Sequence, residues 1–286
     1  MTPLDLLRSF LSSKQRWNTS DVTLARKILL RLSPSLMLEQ FRKDPALIME
    51  LAGLPPDPWQ KRLLRSSSTR SLLLCCRQGG KSTATAALAL WVALLEPPAL
   101  ILLLSPTLRQ SGELFRDKVV RLYNALGRPG GTVQESALAM ALANGSRIVS
   151  LPGDEKNIRG YSGVSLLIVD EASRVEDALY YTVRPMLAVS RGQMVCLSTP
   201  HGKIGWFYEA WTGSEPWDRY RVLATECPRI TPEFLAEERR NLGPRWFAQE
   251  YMCSFEDVID AVFAYEDIQA ALCDDLEPLF PLDRTE

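Results

Sequence analysis

The segment Ser71-Leu-Leu-Leu-Cys-Cys-Arg-Gln-Gly-Gly-Lys-Ser-Thr83 runs an apolar stretch into a glycine-rich turn and then into a helix start. A triphosphate needs that geometry. Backbone N–H groups and a positive helix terminus surround the β-phosphate, Lys81 reaches the β and γ oxygens, and the Ser82 hydroxyl suits Mg²⁺. The phosphate-binding stretch runs through Arg77, Gln78, Gly79, Gly80, Lys81, Ser82 and Thr83. The pattern GxxxxGK[ST] is met except at its first position, where Cys75 stands for Gly. A chance Gly-Gly-Lys-Ser turn is the plainer alternative. The second signal, Ser165-Leu-Leu-Ile-Val-Asp-Glu-Ala172, is an apolar strand ending in two adjacent carboxylates. Asp170 would hold the Mg²⁺ shell and Glu171 would polarise an attacking water as general base. The two acids could instead cap a following helix.

Two further groups could serve the same chemistry. Gln193-Met-Val-Cys-Leu-Ser-Thr-Pro200 is a strand whose exit carries hydroxyls, so Ser198 and Thr199 could contact a γ-phosphate or the lytic water, or simply precede a proline turn. Upstream, Asp57-Pro-Trp-Gln-Lys-Arg-Leu-Leu64 places Trp59 and Gln60 before the first strand, where an aromatic can stack on adenine and an amide can read its edge; an amphipathic helix explains the segment equally well. His201 reads as a solvent-exposed loop imidazole.

The elements that must position these residues follow from periodicity. From Pro3 to about Gly53 apolar residues recur at helical spacing (Leu24, Ile28, Leu32; Leu47, Ile48, Leu51), broken by Pro34 and Pro45, which predicts short helices. Leu54-Pro-Pro-Asp-Pro58 marks a boundary. Beyond it, strands over 71–75 and 99–104 alternate with helices over 81–95 and 107–126, the signature of a parallel sheet. A hairpin over 137–151 turns at Asn144-Gly145, a dipeptide suited to a type I′ turn. Strands over 165–169 and 193–198 resume the sheet. After residue 201 the pattern turns helical and aromatic (Trp206, Phe207, Tyr208, Trp211, Trp217, Trp246), read as a small packed lid rather than a base-stacking surface. The expected organisation is a helical segment over 1–54, a P-loop core over 55–200, a lid over 201–256 and a linker over 257–286.

Composition bounds the rest. A chain of 286 residues can bury a sizeable core. No apolar run reaches membrane-span length and the N-terminus lacks a secretory leader, so a soluble intracellular protein with no membrane partner is expected. The six cysteines form no CxxC pair and there is one histidine, which leaves the usual zinc arrangements without ligands. With 33 basic and 34 acidic residues the chain offers polyanions no general attraction. Arg outnumbers Lys among the bases, which mildly favours phosphate chemistry, although a GC-rich genome is the stronger explanation of the bias.

From about Pro55 to Phe255 the motif set resembles the large terminase subunits of tailed double-stranded-DNA bacteriophages. The resemblance is carried by Cys76-Arg-Gln-Gly-Gly-Lys-Ser82, by Ser105-Pro-Thr-Leu-Arg-Gln-Ser111, by Asn157-Ile-Arg-Gly-Tyr-Ser-Gly163 ahead of the Asp-Glu strand, and by the closing Gln249-Glu-Tyr-Met-Cys-Ser-Phe-Glu256. It implies an α/β P-loop NTPase of the ASCE/RecA-like type, with a mainly parallel central sheet flanked by helices. ATP and Mg²⁺ are the implied cofactors. Arg77 becomes the P-loop arginine that senses or stabilises the γ-phosphate, Gln60 the adenine reader, and Ser198-Thr199-Pro200 the motif coupling hydrolysis to movement. Double-stranded DNA, a portal protein and a small terminase subunit are the implied partners, met in the host cytoplasm by a chain that is monomeric alone and forms a homo-oligomeric ring when assembled.

The family continues into a nuclease domain, and Asp257, Asp260, Glu266, Asp267, Asp274 and Asp275 read as linker charges rather than its metal-binding series. A trans-acting arginine is expected among Arg109, Arg128, Arg147 and Arg159, with Arg147 and Arg159 favoured. A helicase-like ATPase shares the P-loop, the Asp-Glu strand and a Gln-based adenine site, but would need a second RecA-like domain. A nucleotide-binding module without turnover would not need Glu171.

Overall fold

The computed structural model describes residues 33–153, 158, 160–257 and 271. Leu24, Ile28, Leu32, Arg159 and the acids from Asp260 onward lie outside the described residues. The described chain opens with two short helices, α1 (Pro34–Lys43) and α2 (Leu47–Leu51), which bury Met37, Phe41, Ile48, Met49 and Leu51. Helix α3 (Pro58–Leu64) starts at a capping box, with Asp57 at the N-cap and Gln60 reaching back to the Asp57 N–H.

The core is one sheet of eight strands in the order β3-β4-β5-β2-β6-β7-β1-β8. Strands β1 (Arg70–Cys75), β2 (Leu100–Ser105), β6 (Leu166–Asp170) and β7 (Gln193–Ser198) are almost wholly apolar and buried on both faces, as parallel strands covered by helices must be. Their pairing is parallel throughout, β1 with β7, β7 with β6 and β6 with β2. All four therefore end at the same edge of the sheet, where β1 passes into the glycine-rich turn and β6 ends on Asp170. Helix α4 (Lys81–Leu95) leaves that turn into the core, and every residue from Ala84 to Leu95 except Trp91 is buried. The helical stretch expected over 107–126 is continuous but not uniform: α5 (Leu108–Glu113) widens into a π-helical turn (Leu114–Val120) before α6 (Arg121–Ala125).

Three differences from the sequence reading have physical reasons. The hairpin of β4 (Ala139–Leu142) and β5 (Arg147–Pro152) forms in antiparallel register, but its turn is not type I′. Only Gly145 of the dipeptide takes a positive φ, +89°, and the Gly145 N–H donates to the Leu142 carbonyl, the pattern of a longer turn closed by one left-handed glycine. A further strand, β3 (Thr132–Glu135), pairs with β4, and its mostly exposed Thr-Val-Gln-Glu carries no apolar signal. The segment expected to be a separate lid instead gives a strand to the central sheet: β8 (Asp218–Val222) pairs in parallel with β1. Its Asp-Arg-Tyr-Arg-Val alternates charged and apolar residues because it is an edge strand.

Helix α7 (Asp177–Val183) follows β6, and α8 (Gly205–Thr212) follows β7. The last stretch, α9 (Pro232–Met252), is two helices meeting at Gly243, where φ is +75° and Pro244 follows. Trp206, Phe207 and Trp217 are buried, with Trp206 stacked on Tyr180 at 4.0 Å, while Trp246 remains 47% exposed. No helix among the described residues is long and apolar enough to cross a membrane.

Candidate functional site

Lys81, Ser82, Asp170 and Glu171 converge at the carboxyl edge of the sheet because α4 begins where β1 ends and β6 lies one strand beyond β7. The turn between β1 and α4 is left-handed at Gln78 (φ +60°) and Gly80 (φ +90°), so its N–H groups turn toward a common centre. Helix α4 has no side-chain cap and no acid in its first turn, which leaves the N–H groups of Lys81, Ser82 and Thr83 for an anion. Glycine is required at position 80 twice over: by the left-handed φ, and because a Cβ would stand 2.7 Å from Gln60 Nε2.

The charged centre is compact. Lys81 Nζ lies 3.0 Å from Glu171 Oε1, both side chains being largely buried. The Ser82 hydroxyl donates to Asp170 Oδ2 at 3.5 Å. Burial pushes the Asp170 carboxyl up to about 6, with the Glu171 charge adding to it and Lys81 opposing it. Burial likewise works against the Lys81 ammonium, but the Glu171 and Asp170 carboxylates outweigh it and hold Lys81 above its ordinary value. A buried carboxylate beside a hydroxyl, uncomfortable when ionised, is a fitting place for a divalent cation, so Ser82 and Asp170 fit Mg²⁺. Glu171 is itself left-handed (φ +50°), a strained conformation for a residue with a Cβ, and its N–H donates to Asp170 Oδ1 at 3.0 Å.

A connection not anticipated from sequence joins the two catalytic strands. The Ser173 hydroxyl donates to the Thr199 carbonyl at 2.9 Å and lies 2.6 Å from Ser198 Oγ, so the Ser198 hydroxyl donates to Ser173. Ser198, Thr199 and Pro200 are all buried. His201 is exposed, with Arg174 Nη1 3.2 Å from its Nδ1, and burial followed by the Arg174 charge lowers its pKa. Arg174 also stands 3.9 Å from Glu171 Oε2.

Residues upstream and downstream of the P-loop brace it. The Gln60 side chain does not face outward to read a base: its carbonyl accepts from the Asp57 N–H at 2.9 Å and its amide donates to the Gly80 carbonyl at 3.1 Å. Trp59 is half-buried, with a buried Nε1 that has no hydrogen-bond partner. Arg229, which carries no motif, makes a bidentate pair with buried Asp57 at 2.9 and 2.6 Å and reaches the Gly79 carbonyl at 3.4 Å. Its only sequence signal would have been an arginine on a loop entering a helix. Arg77 points away from Lys81: its side chain is 67% exposed, 3.5 Å from Glu250 Oε2, and its N–H donates to the Glu250 carbonyl. Below the turn, Cys76 and Cys227 thiols lie 3.7 Å apart and buried.

Of the arginines weighed as trans-acting groups, Arg109 pairs with Glu113 at 2.8 Å and Arg128 pairs with Glu135. Arg147 opens β5 opposite Leu100, at the edge of the sheet remote from the P-loop.

A family model described as terminase large subunit, T4likevirus-type, N-terminal, matches residues 72–270. The large terminase subunits of Thermus phage G20c and Thermus virus P23-45 are each 24% identical in a 252-residue alignment that covers 75% of this chain and 52% of theirs. The chain thus spans about half the length of these relatives. Among solved structures, the large terminase ATPase domain of Thermus phage P74-26 superposes with a TM-score of 0.64 at 22% identity, covering 73% of this chain and 97% of that one. The large terminase of a thermophilic bacteriophage, solved in complex with ADP, gives a TM-score of 0.58 at 12% identity, covering 70% of this chain and 54% of that one. The fold is therefore that of phage large-terminase ATPase domains and, with more than half of its length matched by the family model, the chain belongs to the terminase large-subunit family, in that family's N-terminal region.

Proposed function

We propose that the chain hydrolyses ATP with Mg²⁺ and that hydrolysis drives double-stranded DNA into a procapsid from the host cytoplasm. The observation that carries this reading is the meeting of Lys81 with Glu171 and of Ser82 with Asp170 at one edge of the sheet. A site that only held nucleotide would have no use for a strained, largely buried glutamate beside its phosphate-binding lysine.

In this reading the N–H groups of residues 78–83 and the Lys81 ammonium bind the β- and γ-phosphates. Ser82 and Asp170 would hold Mg²⁺, which when bound would supply positive charge against the phosphates. Glu171 parts from Lys81, accepts a hydrogen bond from water and takes its proton as the water oxygen bonds to the γ-phosphorus and the bond to the bridging oxygen of ADP breaks. Arg77 exchanges Glu250 for the γ-phosphate. The Ser173 bridge carries the change at Glu171 to Ser198-Thr199-Pro200, the coupling segment. A neighbouring subunit supplies the arginine that completes the site, and portal and small terminase subunit are the partners in assembly. Residues 1–54, 55–200, 201–256 and 257–286 serve as helical appendage, ATPase core, lid and linker, with β8 of the lid built into the core sheet.

The test is phosphate release by the purified chain with and without Mg²⁺, DNA and portal. Turnover that needs Mg²⁺ and rises with DNA and portal is expected. Nucleotide binding with no turnover under any of these conditions would overturn the reading.

A further inference from the structure

A cleft of about 600 Å³ opens at the edge of the sheet opposite the nucleotide site, where β1 and β7 begin. Arg70, Arg184 and Arg191 line it, with Tyr181 beside them and Leu187 and Met194 as apolar floor. These arginines differ from seven around the core that are neutralised in place. Arg62, Arg65, Arg77, Arg109, Arg128, Arg174 and Arg229 each face a carboxylate. Among the described residues, no carboxylate forms an ion pair with Arg70, Arg184 or Arg191.

Aromatic faces hold two of them instead. The Arg184 guanidinium lies 5.3 Å from the centre of the Tyr180 ring, which is itself stacked on Trp206, and that of Arg70 lies 5.9 Å from the Trp217 ring. A guanidinium placed over a ring keeps its in-plane N–H fork free for an anion, whereas one paired with a carboxylate does not. Arg191 stands exposed on a turn that cannot shift easily. A Cβ on the next residue, Gly192, would meet the Val164 carbonyl at 2.0 Å, and the Gly192 N–H donates to the Leu187 carbonyl. Tyr181, 58% exposed, adds a phenolic donor. No carboxylate lines the cleft among the described residues, and Glu215 is held by the Trp217 indole N–H at 3.2 Å.

We propose that this cleft grips the sugar-phosphate backbone of the DNA being moved. The inference rests on the reading of the chain as a DNA translocase, and adds where the duplex is held. Guanidinium forks with a neutral hydroxyl are the donor set that phosphate oxygens take, and contacts of this kind position a duplex without reading its sequence. That is what a motor for a whole genome requires. A chain with nearly equal numbers of acids and bases has no general attraction for DNA, so a local group of unpaired arginines is where attraction can arise. The placement also suits coupling. Strand β1 begins at Arg70 and ends in the P-loop, while β7 begins beside Met194 and ends at Ser198. At about 3.3 Å per residue the cleft and nucleotide site stand roughly 17 Å apart, at the two ends of one hydrogen-bonded strand pair.

The experiment is fluorescence anisotropy of a short labelled DNA duplex over a salt series, using the whole chain, the double variant Arg184→Ala with Arg191→Gly, and a double Arg→Lys variant at the same positions. Glycine at 191 removes the side chain while suiting the left-handed backbone there. Each lost phosphate contact should lower the slope of log affinity against log salt by about 0.9, so the Ala/Gly variant should lose close to 2 in slope and about tenfold or more in affinity. The Lys variant should recover the slope. Basal ATP turnover and the unfolding midpoint should stay near wild type, and the DNA-stimulated part of turnover should fall. Unchanged affinity and slope in a folded Ala/Gly variant would overturn the cleft and leave the translocase reading intact. Failure of the unaltered chain to bind duplex or to respond to it in turnover would remove both. Loss of polyglutamate binding in the Ala/Gly variant with duplex binding untouched would assign the cleft to an acidic protein segment and overturn the DNA proposal.

Discussion

Lys81 and Glu171 face each other at 3.0 Å, so the phosphate-binding cation and the candidate general base neutralise one another in this structure. In the proposed reading, nucleotide parts them as it binds. Replacing Glu171 with Gln should therefore leave affinity equal or tighter, because Lys81 loses a competing anion, while turnover falls at least about a hundredfold. Lys81→Ala should lose affinity and turnover together. Binding of a fluorescent nucleotide analogue alongside phosphate release separates the two effects, and near-normal turnover in Glu171→Gln would remove Glu171 from the chemistry.

Removing Arg229 should destabilise the fold and loosen the P-loop. Asp57 is 7% exposed and loses a bidentate partner in Arg229→Ala, although Arg229 itself is half exposed, so water recovers part of the loss. About 2 kcal/mol is expected, measured by urea denaturation. Nucleotide affinity should fall too, since Arg229 also reaches the Gly79 carbonyl. Arg229→Lys keeps the charge but not the fork, and should recover stability only partly.

The raised Asp170 carboxyl gives a pH signature with a definite sign. Its folded value, about 6, lies above its usual 3.8, so the folded protein binds this proton more tightly than the unfolded chain does. The protonated group therefore favours the folded state, and that contribution is lost as pH rises from about 4 through 6. Asp44, held below its usual value mainly by its hydrogen bond to Arg65, works in the opposite direction at lower pH. The difference in unfolding midpoint between wild type and Asp170→Asn isolates the effect: measured without Mg²⁺, the variant should gain relative to wild type as pH rises across that window. A constant difference would mean that Asp170 titrates normally.

Turnover per subunit should climb with protein concentration, or with portal and DNA, if an arginine acts in trans. A finger supplied this way is worth about 10³ to 10⁵ in rate. Arg147 and Arg159 are the favoured candidates, so the climb should vanish in Arg147→Ala or in Arg159→Ala, tested separately, with nucleotide affinity unchanged. Flat specific activity across concentration, with and without those partners, would show that each subunit completes its own site.

What was legible in the sequence divides along a physical line. The helix over Lys81–Leu95 and the strands ending at Cys75, Asp170 and Ser198 are buried on every side, so their apolar runs announced them and placed the motif residues at one edge. Edge elements were not legible, because β3 and β8 keep polar residues facing water. Arg229 and Ser173 escaped notice, and the pairing of Glu250 with Arg77 with them, for another reason: each meets the site through a contact that no local pattern encodes. Gln60 was found and its direction was not. An amide can face a base or a backbone carbonyl, and the left-handed turn at Gly80 decided for the carbonyl.

Helix α4, enclosed along nearly its whole length, has a mechanical consequence. A helix with no free face cannot tilt without opening the core around it, so Lys81 and Ser82 behave as an anvil rather than as moving parts. In the proposed cycle, recoil at loss of the γ-phosphate would fall on the chain from Leu223 to Asp257, which meets the P-loop through Arg229, Glu250 and Cys227. These are polar and thiol contacts that can be traded one at a time, with the bend at Gly243 behind them as an elbow. In that proposed cycle the stroke length would be set by how far the elbow straightens.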